Sequence, residues 1–216
     1  MDYSNALGIE YRVVSDGEHN GQPVRIVSGA RTYDAEIEEL WDAVTNAERI
    51  PRWFAPISGD LRLGGRYQLE GNAGGSITRC EPPSALDITW EFYGNVSWVT
   101  VRLEAVSDGT RLTLEHLMGK DEQSEAHWKK YGPGATGVGW ELGFLGLGLY
   151  VTTGEAVIES EAHAWFATAE GKAFIEGCAK GWGDAHIQAG EDSAVAQAMA
   201  AETAAFYSGG EHQHEE

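Results

Sequence analysis

A regular alternation of apolar and polar residues in the middle of the chain predicts several antiparallel strands. In the stretch LDITWEFY, one side is formed by Leu86, Ile88, Trp90 and Phe92. The next two stretches, ending near residues 105 and 115, alternate in the same way and are joined by short turns that contain glycine. Because short turns connect antiparallel neighbours, the pattern predicts one curved sheet with one apolar face.

Further strands are predicted nearer the amino terminus. Residues 9–14 and the stretch VRIVSGARTY are separated by the turn-forming sequence SDGEHNGQP, which predicts a leading hairpin. The glycine pair at positions 64 and 65 opens another strand, and GNAGG is expected to be a loop before the strand SITRC. These stretches extend the predicted sheet on both sides.

A helical spacing of apolar residues follows the leading hairpin. The stripe consists of Ile37, Leu40, Trp41 and Val44. Asp34 can accept hydrogen bonds from the first turn, so we expect this helix to begin at Ala35. A second helical turn capped by Asn46 is expected to be short, because Pro51 lacks the N–H that would continue it.

The most apolar stretch of the chain predicts a long helix from about Ala135 to Thr152, with apolar residues on both sides. Such a helix is expected to be buried on both sides. Its glycines lower helix propensity and would be tolerated where the backbone lies close to a neighbouring surface or where space is left beside it. Residues 117–134 are polar and rich in turn-forming residues, and we expect them to form a mobile loop or lid.

A helical hairpin is predicted near the carboxyl terminus. Thr168 can cap its first helix, which is expected to end near Gly190, and the second helix is expected to begin at about Asp192. The apolar stripes consist of Phe174, Cys178, Trp182 and Ala185 in the first helix and of Val195, Met199 and Phe206 in the second. The hairpin needs a surface to cover these stripes, and it is expected to pack on the main domain or on a second subunit in a homodimer.

We therefore expect three segments along the chain. Residues 9–152 form the main domain, residues 153–208 form a helical extension, and residues 209–216 form a disordered acidic tail. A chain of 216 residues is long enough for one domain with a substantial core.

Several motifs occur in an order that resembles a known family. RxYDA, ExxWDAxTNAERxxRWF and DLRxGGRY are followed by CEPPSALDITWEF, DGTRLTLEH and GWELGFLGLGLY. Over roughly residues 22–152 they resemble the activators of a heat-shock chaperone ATPase, within the SRPBCC superfamily, which includes START domains, birch-pollen-allergen-like proteins and polyketide cyclases. The resemblance implies an α+β helix-grip fold: a curved antiparallel sheet wrapped around a long helix, with two short helices at one end.

The composition limits the classes of partner. With 42% hydrophobic and 23% charged residues, the chain is typical of soluble globular proteins. A net charge of −19 argues against a nucleic acid and against an anionic membrane surface, since both require clustered basic residues. The sequence shows no secretory signal, so we expect a cytoplasmic location.

The sequence contains little that would indicate a metal or a cofactor. Cys80 and Cys178 lie far apart in no metal-binding pattern, and a disulfide between them is not favoured. His212 and His214 alternate with acidic residues in the predicted tail, where a fixed coordination geometry is not expected. We predict neither a metal nor a cofactor.

Two titratable residues are weak candidates for catalysis. Strand parity places His116 on the interior face, either as a hydrogen-bonded core residue or as a polar anchor or general base. Glu141 lies inside the apolar helix, and if it is buried it needs a partner such as Arg66, Arg79 or His116. No nucleophile elbow, phosphate loop or paired-histidine helix occurs in the sequence.

Large aromatic residues on the inward faces, beside glycines of the long helix, indicate an incompletely filled interior. Each aromatic residue taken alone is explained by an ordinary core. The predicted ligand-binding residues are Trp53, Phe54, Tyr67, Trp90, Phe92, Val101, Leu114, His116, Trp140 and Phe144.

Three functions are compatible with this sequence. The first is noncatalytic binding of a small hydrophobic or aromatic ligand between the long helix and the sheet. The second is a protein-interaction role as a chaperone activator or stress factor, although the family's eukaryotic co-chaperones carry an additional amino-terminal domain that we do not find here. The third is a cyclase or hydrolase that uses the same cavity, with His116 or Glu141 as proton carrier.

Overall fold

Eight antiparallel strands form one curved sheet in the computed structural model, which describes residue 9 and residues 11–209. The strands are β1 Tyr11–His19, β2 Gln22–Tyr33, β3 Ile57–Gly59, β4 Arg66–Leu69, β5 Gly74–Glu81, β6 Ala85–Phe92, β7 Asn95–Val106 and β8 Gly109–Gly119. Their order across the sheet is β1-β2-β8-β7-β6-β5-β4-β3. The predicted single antiparallel sheet is confirmed.

The helices cover one face of this sheet and extend beyond it. They are α1 Ile37–Thr45, α2 Glu122–Tyr131, α3 Gly134–Thr153, α4 Glu159–Phe166, α5 Ala169–Gln188 and α6 Ser193–Tyr207, with a short 3-10 turn at Ile50–Arg52. The long helix α3 lies across the sheet, and the predicted α+β helix-grip fold is confirmed. Within the described part of the chain, no helix combines the length and the apolar character needed to cross a bilayer.

The main core lies between α3, α1 and the central strands. Val99 and Leu112 from β7 and β8 pack with Leu40 of α1 and with Phe144 and Leu147 of α3. All of these side chains are at least 95% buried. Each contributes roughly 1.5–3 kcal/mol of burial free energy, so this cluster is what holds α3 against the sheet.

A second core joins the carboxyl-terminal helices to the same domain. Trp182 and Cys178 of α5 pack with Val138 of α3 and Val27 of β2. Thr168 caps α5 as predicted, with its Oγ1 accepting a hydrogen bond from the Gly171 N–H at 3.1 Å.

The predicted stripe of α6 is wrong in two positions. Val195 and Phe206 are exposed, and the buried face consists of Ala196, Met199 and Thr203. Thr203 was missed because its hydroxyl makes it look like a surface residue. That hydroxyl donates to the Tyr131 carbonyl oxygen at 3.1 Å, which allows it to be buried.

The first helix begins later than predicted, and Asp34 does not cap it. The helix starts at Ile37, and the capping position is Glu36, which makes no side-chain capping bond. The carbonyl oxygen of Ala35 accepts a hydrogen bond from the Thr110 hydroxyl at 2.7 Å. This bond holds residue 35 against the end of the sheet, so the helical turn forms after it.

The predicted lid at residues 117–134 is also wrong. β8 continues to Gly119, and Asp121 caps helix α2 by accepting from the Ser124 N–H at 3.0 Å. Trp128 is the one buried residue of this otherwise polar helix. A single buried residue produces no apolar periodicity, which is why the pattern did not predict the helix.

Two turns are shorter than predicted. β1 extends to His19, and the turn is only Asn20–Gly21, where both residues have positive φ (51° and 75°) as a type I′ turn requires. Gly74 and Gly75 belong to β5 instead of a loop. A Cβ at position 75 would lie 2.0 Å from the Thr89 carbonyl oxygen, so glycine allows the strands to approach closely there.

Candidate functional site

A cavity of about 130 Å³ lies between α3, the sheet and the segment that follows the 3-10 turn. The structure brings together all of the predicted ligand-binding residues except two around this space: Trp53, Phe54, Tyr67, Trp90, Val101, Leu114, Trp140 and Phe144. Phe92 and His116 lie outside it. The geometry shows that these residues share a cavity, and their role in binding stays a prediction.

The aromatic walls are fixed by contacts from three different elements. Phe54 stacks on Trp140 of α3 with ring centroids 6.1 Å apart, and Trp90 of β6 meets Trp140 edge-on at 5.0 Å. Trp53 donates its indole N–H to the Ala43 carbonyl oxygen of α1 at 2.9 Å. Because each ring is held by a neighbour, the cavity has defined walls before any ligand enters.

The 3-10 turn that precedes Trp53 and Phe54 is anchored by Arg49. Its guanidinium donates to the Tyr150 hydroxyl of α3 at 2.8 Å and to Asp42 of α1 at 2.9 Å. A further hydrogen bond joins it to Glu39, and the bonds from Arg49 lower the pKa of Asp42 and of Glu39. The turn is therefore fixed to both helices that border the cavity.

Most hydrogen-bond donors of the cavity wall already have partners inside the protein. The hydroxyls of Thr45 and Tyr67 donate to carbonyl oxygens at 2.7 and 2.8 Å. The indole N–H of Trp140 donates to His116, and the indole N–H of Trp53 donates to the Ala43 carbonyl oxygen. Among the described residues that line the cavity, only Trp90 has an indole N–H without a partner.

His116 is buried and both of its ring nitrogens are engaged. Nδ1 accepts from the Trp140 indole N–H at 3.1 Å, and since an indole can only donate, the ring proton sits on Nε2. Nε2 then donates to the Ser97 hydroxyl at 2.8 Å, and Ser97 donates to the Trp90 carbonyl oxygen at 3.2 Å. Burial lowers the pKa of His116 to about 4, so the imidazole is neutral near pH 7.

Glu141 is 2% exposed, and its predicted partners are wrong. Arg12 of β1 binds both carboxylate oxygens at 2.8 Å. The thiol of Cys178 donates to the same carboxylate at 3.2 Å. Glu141 therefore joins α3 to β1 and α5, on the side of the helix away from the predicted partners.

The predicted partners of Glu141 are engaged elsewhere. Arg66 on β4 pairs with Glu91 at 2.7 Å, and Arg79 on β5 pairs with Glu81 at 2.7 Å. Burial raises the pKa of the Cys178 thiol, with the Glu141 carboxylate adding to the effect. Cys178 and Cys80 are both free thiols.

Phe92 was predicted to face inward but is 40% exposed. It has the same strand parity as Trp90, but it is the last residue of β6 and lies beyond the part of the sheet that α3 covers. Strand parity gives the face of a residue, and it does not give the extent of the covering helix.

Several lining residues were not in the predicted set. Leu86, Ile88, Val99 and Leu112 also border the cavity, together with Ile77 of β5 and Gly143 of α3. The parity of β6, β7 and β8 already placed the first four on the inward face, so parity could have found them. For Ile77 no comparable signal exists, because its strand has an irregular register.

The described residues contain no group of three or more His, Cys, Asp or Glu side chains that could hold a metal ion. His212 and His214, which belong to the predicted disordered tail, lie outside the residues that the structure describes.

The model of the family described as "Activator of Hsp90 ATPase homolog 1-like protein" matches residues 34–150. The chain belongs to this family. The match begins just before α1 and ends within α3, so this family's region includes most of the cavity wall. No curated protein matches the sequence.

Solved structures of similar proteins extend the match beyond the family's region. The crystal structure of CalU16 from Micromonospora echinospora is 33% identical, covers 83% of this chain and 98% of its own, and has a TM-score of 0.66. The solution structure of CalU16 is 32% identical, with coverages of 84% and 97% and a TM-score of 0.68. DynU16 is 23% identical over 61% of this chain and 48% of its own, with a TM-score of 0.50, and shows the fold alone.

Proposed function

We propose that the protein binds a small apolar or aromatic molecule, without transforming it, in the cavity between α3 and the sheet. The observation that carries the proposal is an apolar space of about 130 Å³ lined by the aromatic and aliphatic side chains of α3 and the sheet. An engineered cavity of about 150 Å³ with similar walls stays dry and binds benzene. The site is therefore suited to a single ring or a short branched chain.

The hydrogen bonds of the wall support an apolar ligand. Because the donors of Thr45, Trp53, Tyr67 and Trp140 are used within the protein, a polar ligand would lose its bonds to water without replacing them. Apolar surface that leaves water gains about 25 cal/mol per Å².

The two candidate proton carriers support a noncatalytic role. His116 has both nitrogens in hydrogen bonds, and its lowered pKa makes it a weak base. Both oxygens of Glu141 are bound by Arg12, away from the cavity. A general base needs an atom within hydrogen-bond reach of the substrate, and neither residue offers one without breaking an existing bond.

The descriptions of similar proteins indicate two kinds of biological role. The family description refers to activation of a chaperone ATPase, and DynU16 is described as a protein in the dynemicin biosynthetic locus. An apolar cavity is a feature that a small-molecule role uses directly, so it supports the second kind of role for this chain. We expect that addition of the protein leaves the ATPase rate of a heat-shock chaperone unchanged.

Titration with toluene tests the proposed function, with quenching of tryptophan fluorescence as the readout. Gly143 lines the cavity and Gly177 on α5 faces open space, so Gly143→Leu and Gly177→Leu form a matched pair. We expect saturable binding to the wild type and to Gly177→Leu, and a loss of at least about tenfold in Gly143→Leu. Equal binding to both variants, or no binding to the wild type, would contradict the proposal.

A further inference from the structure

A second cavity of about 340 Å³ lies on the same face of the sheet, where residues of α2 line it. Its floor consists of Asn95 and Ser97 on β7 and of His116 and Met118 on β8. Because side chains alternate along a strand, these four residues point to the same face of the sheet as Val99, Val101, Leu112 and Leu114. The inner face of the sheet thus changes from apolar to polar, and α2 replaces α3 as its roof.

Trp90 lines both cavities and forms part of the wall between them. Trp140 completes this wall through its hydrogen bond to His116. Hydrogen bonds run from the Trp140 indole through His116 and Ser97 to the carbonyl oxygen of Trp90, and they fix this wall. The second cavity is therefore a compartment with its own walls.

An aromatic pair borders the second cavity. The rings of Phe92 and Tyr93 lie 4.4 Å apart, and the two residues are 40% and 80% exposed. Tyr93 has φ = 46° in a two-residue turn with Gly94, a conformation that favours Asn or Gly and that bulky residues rarely adopt. An exposed tyrosine at a position where asparagine would fit better points to a use for its ring.

The charges around the second cavity are neutralised. Arg25 donates to both oxygens of Glu125, and its guanidinium lies 4.7 Å from the ring centre of Trp128. Burial, with a smaller effect of Lys130, lowers the pKa of His127. These features favour a neutral ligand over an anion or a cation.

Polar groups with free hydrogen-bonding capacity remain at this cavity. Within the described part of the chain, the side-chain amide of Gln123 and the indole N–H of Trp90 have no partner, and Asn95 uses only its amide N–H, toward Ser124 at 3.0 Å. Aromatic walls combined with amide groups suit a flat ring system that carries hydroxyl or carbonyl groups.

We propose that this cavity is a second binding site, for a neutral planar aromatic group that bears hydrogen-bonding substituents. Its volume of about 340 Å³ falls within the range of about 300–1,000 Å³ that is typical of small-molecule sites. The ring of the ligand stacks on Phe92 and Tyr93, and its polar groups meet Gln123, Asn95 and Trp90. The site is separate from the apolar cavity and does not depend on the function proposed for it.

Titration of the full-length protein with 2-naphthol, with naphthalene as the comparison, tests this site. The ligand is located by changes in the amide resonances of the labelled protein. We expect the changes at Gly94, Gln123 and His127, and tighter binding of 2-naphthol than of naphthalene. Tyr93→Asn, which suits the turn and should fold, is expected to weaken 2-naphthol binding between about twofold and tenfold, the range for loss of one aromatic contact.

The variant pair separates the two sites. Gly143→Leu is expected to weaken toluene binding at least about tenfold and to leave 2-naphthol binding unchanged. Tyr93→Asn is expected to weaken 2-naphthol binding between about twofold and tenfold and to leave toluene binding unchanged. If 2-naphthol changes the resonances of α3 around Gly143 instead, or does not saturate, the second site does not exist. Equal affinity of Tyr93→Asn and the wild type for 2-naphthol would also overturn the proposal. Failure of toluene to bind would affect only the first proposal.

Discussion

Two faces of helix α3 use glycine in opposite ways. On one face, called here the filled face, a Cβ at position 137 would lie 2.1 Å from Cε2 of Trp182, so glycine makes room for the large side chain of α5. On the face turned to the apolar cavity, called here the cavity face, a Cβ at position 143 would lie 3.5 Å from Phe54, an ordinary contact, and the residue borders the cavity. A neighbour fills the space at Gly137, whereas space remains beside Gly143.

This difference indicates which face of the helix provides stability and which face is free for a ligand. The filled face also carries Glu141, whose ion pair with Arg12 ties β1 to the helix. The cavity face carries Trp140, Phe144 and Leu147. Substitutions on the filled face should therefore alter stability, and substitutions on the cavity face should alter binding.

Loss of the buried ion pair is expected to have the largest effect. Arg12→Leu leaves the carboxylate of Glu141, which is 2% exposed, without its cation. Removing one partner of a buried pair costs about 3–5 kcal/mol, so we expect a decrease of this size in the free energy of unfolding, measured with urea. As a control, Arg79→Leu removes an exposed ion pair with Glu81 and is expected to cost less than about 1 kcal/mol. Similar losses for both variants would contradict the account.

Overfilling the filled face of α3 is expected to have the next largest effect. Gly137→Ala forces the ring of Trp182, which is 2% exposed, out of its place. Overpacking of a well-packed core costs about 1–3 kcal/mol, and this loss should exceed the gain of about 1 kcal/mol in helix propensity. Thermal unfolding of the variant measures the balance. An unchanged or higher midpoint would show that the two helices do not meet so closely.

Acidification is expected to act through His116, which holds Trp140 on the cavity face. His116 has a folded-state pKa of about 4, below its ordinary value of 6.5, so the unfolded chain takes up a proton more readily as the pH falls. The stability contributed by neutral His116 is complete above pH 6.5 and is lost toward pH 4. Between pH 7 and pH 5 we expect a decrease of about 2 kcal/mol in the free energy of unfolding.

The control for this pH dependence is His116→Asn, which retains an acceptor for Trp140. Between pH 7 and pH 5, the free energy of unfolding of the variant is expected to decrease by about 2 kcal/mol less than that of the wild type. His127 and His186, whose pKa values are also lowered, remain in both proteins and cancel in the comparison. Parallel stability curves for the wild type and the variant would show that the imidazole is not buried as described.

The smallest effect on stability is expected on the cavity face. Gly143→Ala meets only an ordinary contact with Phe54, so the protein should gain up to about 1 kcal/mol from helix propensity. Gly177→Ala on α5, where nothing lies within 4 Å, should gain a similar amount and serves as the control. Only Gly143→Ala should weaken toluene binding. A loss of stability in Gly143→Ala alone would show that the space beside it is already filled.

The sheet was predictable from the sequence because β6, β7 and β8 alternate strictly. The long helix was predictable because its apolar residues are dense enough to identify it despite its glycines. Helix α2 was missed, since Trp128 is its one buried residue and a single residue defines no stripe. Asp121 followed by helix-forming residues was the local signal that could have indicated it.

The sequence predicted the types of residue that line the candidate site. It did not predict how far the covered part of the sheet extends. Strand parity placed Trp90 and Phe92 on one face, but only the three-dimensional structure shows that Trp140 of α3 covers Trp90 and that Phe92 is 40% exposed. The partner of Glu141 lies 129 residues away in the chain, on a strand at the edge of the sheet. Contacts of this kind arise from tertiary packing and leave no local pattern.

The central claim is that the space beside Gly143 accepts an apolar ligand, and a crystal soaked in bromobenzene tests it most directly. The anomalous signal of bromine locates the ligand independently of the protein density. The account predicts one bromine site inside the cavity, within contact of Phe54, Trp140 and Leu147, and its loss in Gly143→Leu. A filled interior without bromine in wild-type crystals, or bromine only on the surface, would contradict the claim.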